Sequence, residues 1–201
     1  MTENSPEYLK PYLRAAERHG GSFDSLLWAS PTTQGDRFDA IAAAADFGGK
    51  SVLDVGCGRA DFLDYLLRRG VEPGAYFGIE AVPALAEAAR RKGHPGATVI
   101  EADFVADPRR LFVGAQVVVI SGSLNTADDS TFYATLRRAY DAAGECLVFN
   151  FLSSPRLAGT PYLHWRSAQD VLRFARDHAG WVTTVDDYLP GDCTVVMGKN
   201  R

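Results

Sequence analysis

The chain has 201 residues, 46% of them hydrophobic and 23% charged, with 21 Lys and Arg against 25 Asp and Glu for a net charge of −4. At about 150 residues per domain, this predicts one folded unit that needs no disulfides or structural metal to build a core, and it excludes disorder as the main state. An acidic balance argues against polyanion binding, because nucleic-acid binders carry a basic face, but it leaves a nucleotide-sized ligand open. Cys57, Cys146 and Cys193 are far apart, with no Cys-x-x-Cys or Cys/His cluster, so neither a disulfide framework nor a zinc site is expected. No basic segment followed by an apolar one opens the chain, and no run approaches the roughly 18 apolar residues of a membrane span. The expectation is a reduced, cytoplasmic protein with no membrane or nucleic-acid partner.

In chain order, Pro6 to His19 reads as a short helix with Tyr8, Leu9, Tyr12 and Leu13 on one face, stopped by Gly20 and Gly21. A loop containing Pro31 follows, then a second helix from about Asp36 to Asp46. From Ser51 the pattern alternates. Ser51 to Val55, Ala75 to Glu80, Ala97 to Glu101, Ala115 to Ile120 and Cys146 to Leu152 read as strands. Helices are predicted at Asp61 to Arg69, Val82 to Lys92 and Ser130 to Ala143. Ser167 with Asp170 looks like a capping box opening a last helix. Trp181 to Tyr188 and Thr194 to Met197 follow as strands, and a connection this short forces them to pair antiparallel. The chain thus predicts a doubly wound, mostly parallel sheet of seven strands with a C-terminal antiparallel hairpin. It forms a single domain over residues 1–201, with 1–50 as a helical cap and 51–201 as sheet and hairpin.

Val52-Leu53-Asp54-Val55-Gly56-Cys57-Gly58 is the sharpest local signal: a buried strand running into a glycine turn and then a helix. In open parallel sheets, ligands bind beyond the carboxyl ends of the strands, where glycines let the backbone approach and a helix start offers N–H groups. A dinucleotide loop would continue Gly-x-Gly-x-x-Gly/Ala, but Asp61 stands at the sixth position and Asp54 would repel a pyrophosphate. Asp54 favours a ligand with ammonium or sulfonium charge instead. Glu80 ends the second strand about 20 residues after the turn, where an acid accepts hydrogen bonds from ribose hydroxyls. Asp103 can accept an adenine amine while Phe104 covers a ring face; a loop acid beside a core aromatic is the competing view.

These residues resemble the class I S-adenosylmethionine-dependent methyltransferases, from Ser51 to the final hairpin. Asp54-Val55-Gly56-Cys57-Gly58 is similar to that family's first motif, Glu80 to its ribose-binding acid, and Asp103-Phe104 to its adenine-contacting pair. Ala60 stands where a third glycine is common. The resemblance implies a Rossmann-like sheet and S-adenosyl-L-methionine as cofactor. It further implies that the backbone of Gly56, Cys57 and Gly58, with the Asp54 carboxylate, surrounds the cofactor's amino-acid end. Ala81 and Ser121 complete the expected cofactor-binding set. Arg37 either pairs with the cofactor's carboxylate or serves as a surface partner of Asp36 or Asp39.

The fourth strand ends in Ser121-Gly122-Ser123-Leu124-Asn125, which would border the transferring methyl. No Asn-Pro-Pro-Tyr-like run stands there, so nucleobase amino groups are disfavoured as acceptors, and no acidic pair suggests a metal. Ser123 and Asn125 can orient an acceptor or simply cap a helix. The long connection from Ser153 to Arg166 contains Tyr162, His164 and Trp165. Long loops at this edge of a sheet often cover ligands. Tyr162 and Trp165 are candidate acceptor contacts, and His164 is either a general base or part of a packed hinge. The reading is a methyltransferase acting on a small-molecule O or N acceptor by in-line displacement. A nicotinamide-dependent oxidoreductase and a non-catalytic cofactor- or partner-binding protein are the alternatives.

Overall fold

The run Ser51–Val55 (β1) is buried from its second residue onward and lies in the middle of a sheet, not at its edge. A computed structural model describes residues 5–200. The remaining strands are β2 (Ala75–Glu80), β3 (Ala97–Glu101), β4 (Val117–Ser121), β5 (Cys146–Leu152), β6 (Trp181–Val185) and β7 (Asp192–Gly198). Their order across the sheet is β3-β2-β1-β4-β5-β7-β6, a seven-stranded Rossmann-like α/β sheet. The first five strands in this order are mutually parallel, and β7 runs antiparallel to both β5 and β6. The chain lays β2 and β3 on one side of β1 and then returns to place β4 and β5 on the other. That reversal opens a crevice at the carboxyl ends of β1 and β4, the place where such sheets hold ligands.

Among the described residues, six α-helices surround the sheet: α1 (Lys10–His19), α2 (Pro31–Ala44), α3 (Asp61–Arg68), α4 (Pro83–Arg91), α5 (Asp129–Ala142) and α6 (Ala168–His178). Successive strand residues point to opposite faces. Leu53, Val118, Ile120 and Phe149 therefore meet Phe132 and Leu136 of α5 and Val171 of α6. Val52, Val117, Val119 and Val148 meet Ile41 of α2 and Phe62 and Leu66 of α3 on the other face. Phe132 is fully buried, and truncating such a ring to alanine costs about 3–5 kcal/mol. Because both faces are covered, the central strands read as continuous apolar runs instead of alternating ones.

The helical cap differs from its predicted form. α2 begins at Pro31, five residues earlier than expected, with a capping box between Ser30 and Thr33. Proline at a first helical position loses only an N–H that would have no partner there, so Pro31 starts the helix instead of sitting in a loop. α1 starts at Lys10, after a turn in which the Leu9 and Lys10 amides bond the Pro6 carbonyl. In the hairpin, β6 ends at Val185, three residues short of the predicted end, because Tyr188 turns inward to bond Asp192 and Thr194. Ser167 caps α6, accepting from the Asp170 amide, but the Asp170 carboxylate bonds Arg173 instead of closing the predicted capping box.

Candidate active site

The glycine turn after β1 depends first on its backbone conformation. Gly56 and Gly58 have φ of +72° and +56°, in the left-handed region that suits glycine. Ala60 adopts φ +55° as the residue before α3. It meets the same conformational demand with a methyl group that it buries in the core. A Cβ on Gly56 would lie 2.3 Å from the Ser123 Cβ, so the turn of β1 and the end of β4 touch directly. Ser123 locks that contact by donating its hydroxyl to the Val55 carbonyl at 2.9 Å.

The amides of this turn are not free, contrary to expectation. Gly56 and Cys57 N–H both donate to the Ile79 carbonyl, at 2.8 and 3.0 Å. Gly58 N–H donates to Glu80 Oε2 at 2.8 Å, and Val82 N–H donates to Oε1 at 2.8 Å. The glycines supply close approach here, and their N–H groups hold the neighbouring strand and its acid. Glu80 is buried; burial pushes its pKa up, while the N–H groups of Val82, Gly58 and Ala81 oppose that shift. Its orientation is fixed before any ligand arrives.

A cavity of about 330 Å³ lies above this turn. Gly56, Gly58, Glu80 and Ala81 form one end of it, and Asp103 and Phe104 form the side beyond β3. Asp103 Oδ1 accepts the Val105 and Ala106 amides, and Oδ2 accepts the Tyr8 hydroxyl at 2.8 Å. Tyr8 is tied down a second time, because Thr126 donates its hydroxyl to the Tyr8 carbonyl at 2.8 Å. Tyr12, one turn along in α1, also lines the cavity, and burial together with the Glu80 charge pushes its phenol up. The N-terminal segment therefore roofs the site.

Ser121, Ser123 and Asn125 all line the cavity. Ser121 Oγ accepts the Asn150 amide at 3.4 Å, leaving the buried Asn150 Oδ1 without a hydrogen-bond partner. Asn125 Oδ1 accepts the Leu152 amide, and its carbonyl accepts the His164 amide at 2.7 Å. Asn125 thus ties the end of β5 to the long connection. Tyr162, Thr160 and Leu163 of that connection reach the cavity, and the Thr160 hydroxyl oxygen is buried without a partner.

Four predicted residues stand elsewhere. His164 and Trp165 are exposed, Trp165 at 48%, and neither lines the cavity. The adjacent Arg166 directs this stretch outward: it is buried, donates to the Ala127 carbonyl at 2.6 Å and lies over the Phe132 ring. Cys57 packs its Sγ against Gly78, where a Cβ would be 2.7 Å away; burial pushes its thiol well up, the opposite of an activated nucleophile. Asp54 lies behind the turn, off the lining, and accepts the Tyr76 hydroxyl at 2.6 Å. Burial raises it to about 7 against the opposing Tyr76 bond, with Glu80 and Asp61 adding like-charge repulsion.

Arg37 does line the cavity, and its protein partner is neither Asp36 nor Asp39. Its Nε donates to Asp192 Oδ2 at 2.7 Å and its Nη2 pairs with the same oxygen, in a buried ion pair between α2 and the start of β7. Its guanidinium also lies 4.7 Å from the centroid of the Trp28 ring. Trp28, Tyr8 and Tyr12 are lining residues that sequence reasoning did not assign to the site. The i, i+4 spacing of the two tyrosines on one face of the predicted Pro6 to His19 helix was the available signal; nothing local marked Trp28.

Residues 52–144 match the family described as "Methyltransferase domain". No curated protein sequence matches the chain. Among solved structures, an O-methyltransferase family protein of Burkholderia thailandensis superposes with a TM-score of 0.67 at 16% identity, over 88% of this chain and 58% of that one. A SAM-dependent methyltransferase of Archaeoglobus fulgidus gives 0.65 at 16% identity, over 85% and 95%. The magnesium protoporphyrin IX methyltransferase of Synechocystis PCC 6803, solved with S-adenosylmethionine bound, gives 0.63 at 13% identity, over 84% and 79%. At these identities the structural likeness concerns the fold.

Proposed function

We propose that this chain, a class I S-adenosylmethionine-dependent methyltransferase, transfers the methyl group to a small-molecule acceptor, oxygen or nitrogen, by in-line displacement. The observation that carries the reading is the prearranged Glu80 carboxylate in a roofed cavity beside Gly56, Gly58 and Asp103-Phe104. When bound, S-adenosylmethionine supplies a methyl group on a sulfonium, already activated for transfer.

The residues present fit that group. Glycines at 56 and 58 let Ser123 and Leu26 pack directly on the turn, which keeps its backbone at the cavity wall where a cofactor would lie. Glu80, with Ala81 beside it, receives the ribose hydroxyls on lone pairs that its two backbone bonds leave available. Asp103 and Phe104 take the adenine amine and ring, and Ser121 borders the sulfur end. Cys57 contributes through packing that shapes the turn, and Asp54 through charge from behind it. Glu80, Asp103 and Asp54 together favour a cationic ligand. Arg37 reaches the cofactor's carboxylate only by the guanidinium edge that Asp192 leaves uncovered.

On the acceptor side, Ser123, Asn125 and Tyr162 form part of the wall. The roof of Tyr8 and Tyr12 and the connection through Tyr162 exclude water and limit the acceptor to something that fits beneath them. Alignment of acceptor and methyl at contact distance then supplies most of the rate enhancement. His164 and Trp165, exposed on the outer side of that connection, take no part in this reading. An acceptor that is a neutral amine or an acidic hydroxyl needs no base from the chain.

Calorimetric titration with S-adenosylhomocysteine tests the cofactor half, with NADH as control; binding of NADH and not of S-adenosylhomocysteine would sink it. A co-crystal with S-adenosylhomocysteine tests the acceptor half, because the space left beside the sulfur must be closed and of small-molecule size. An open groove there would refute it.

A further inference from the structure

We infer that the acceptor is an uncharged, largely apolar molecule with one hydrogen-bonding group, and that Trp28 is the wall on which it packs. This rests on the methyl-transfer reading above and names the acceptor class for that site.

Charge carries the first part. Among the described residues that line the cavity, Arg37 is the only Lys or Arg, and Asp192 neutralises it through both Nε and Nη2. Glu80 and Asp103 remain as lining acids. A carboxylate or phosphate on the acceptor would leave water for a protein lining with two acids and no unpaired cation, a cost that the sulfonium, itself flanked by those acids, only partly offsets. Any share of Arg37 that turns to the cofactor's carboxylate removes still more positive charge from the acceptor. An ammonium cannot be the methylated group, because it has no lone pair to receive a methyl, and elsewhere on the acceptor it would be repelled by the sulfonium.

Shape carries the second. Trp28 sits on Gly122, where a Cβ would lie 2.8 Å from the ring's Cη2, between the cavity-lining Ser121 and Ser123 at the end of β4. The Arg37 guanidinium over the ring, itself held by Asp192, positions it from the other direction. A large aromatic surface is thereby held in place beside the residues expected to border the methyl. Leu27, Leu157, Leu163 and Leu189, drawn from three separate segments, complete an apolar enclosure. The Thr160 hydroxyl oxygen, buried and unpartnered on the same connection as Leu157 and Leu163, is the polar group that meets the acceptor's own. A buried polar atom left without a partner in the protein is one that a ligand can satisfy.

The test uses the full chain with saturating S-adenosylhomocysteine and three matched pairs of probes: phenol with 4-hydroxybenzoate, 2-naphthol with 6-hydroxy-2-naphthoate, and indole with indole-3-carboxylate. Calorimetry is expected to show binding of at least one neutral member, with its anionic counterpart weaker by about tenfold or more. Trp28→Ala weakens that neutral probe by about tenfold and Trp28→Phe by much less, while affinity for S-adenosylhomocysteine changes by less than about threefold in both. Equal binding of the anionic partner overturns the inference, as does binding by no neutral probe at millimolar concentration. Unchanged probe affinity in Trp28→Ala does so too. The comparison of pairs in the unmodified protein stands even if a variant fails to fold. If S-adenosylhomocysteine itself does not bind, it is the underlying reading that falls.

Discussion

Arg37 and Asp192, 155 residues apart, form a buried ion pair in which both the guanidinium and the carboxylate are almost fully shielded from solvent. Burial pushes the Asp192 pKa up, and the charge and hydrogen bonds of Arg37 oppose that, with further help from the Tyr188 hydroxyl. The pair joins the cap helix α2 to the start of β7 across the edge of the cavity. Removing either partner leaves a largely buried charge uncompensated. Arg37→Ala and Asp192→Ala should therefore each cost about 3–5 kcal/mol in urea unfolding. The double replacement Arg37→Met with Asp192→Leu should cost much less than the sum. Additive losses would show that the two do not act as a pair.

Positions 56 and 58 should respond unequally to alanine. Both require positive φ, which costs an L-residue roughly 1–2 kcal/mol. At 56 the new methyl also meets the Cβ of Ser123, whereas at 58 it meets the mobile end of the Leu26 side chain. Gly56→Ala should thus lose S-adenosylhomocysteine affinity by about a hundredfold or more and Gly58→Ala by less, as read by calorimetry. The reverse order would contradict the packing described.

Glu80→Gln separates charge from shape. One oxygen becomes an NH₂ group facing a backbone N–H from Gly58 or Val82, so one of two fixed hydrogen bonds turns into a clash of donors. Loss of that bond and of the charge should weaken S-adenosylhomocysteine binding by about 10- to 100-fold, since hydrogen bonds to charged groups contribute about 1.5–3 kcal/mol. A variant binding as tightly as the parent chain would remove Glu80 from the site.

Asp54 sets a pH dependence of stability with a definite sign. Its pKa is raised to about 7 in the folded chain from an ordinary 3.8, chiefly by burial. The folded state therefore holds the proton more tightly than the unfolded state. Stability from this group is full below about pH 4, declines as pH rises toward 7 and stays low above it, by up to about 4 kcal/mol. Asp54→Asn, which can still accept the Tyr76 hydroxyl, should stabilise the chain at pH 8 and leave it unchanged near pH 4. Thermal melts at the two pH values decide this; equal shifts at both would refute it.

The alternation of strands and helices, the glycine turn after β1 and the acids at the ends of β2 and β3 were legible in the residues themselves. Each of these depends on periodicity and turn chemistry within a few neighbours. The antiparallel hairpin was legible for a similar reason, since a short connection allows no crossover. Contacts made across the fold were not legible. The partner of Arg37 lies on β7, the seat of Trp28 lies at Gly122 on the end of β4, and the amides of Gly56 and Cys57 are taken by Ile79 on β2. His164 and Tyr162 stand two residues apart on one connection, yet Tyr162 lines the cavity and His164 faces solvent. Local sequence determined which elements form and what chemistry sits at their ends. Which side chains converge on one cavity, and which spend their hydrogen bonds on the scaffold, was decided by tertiary packing, because burial and pairing arise only between segments far apart along the chain.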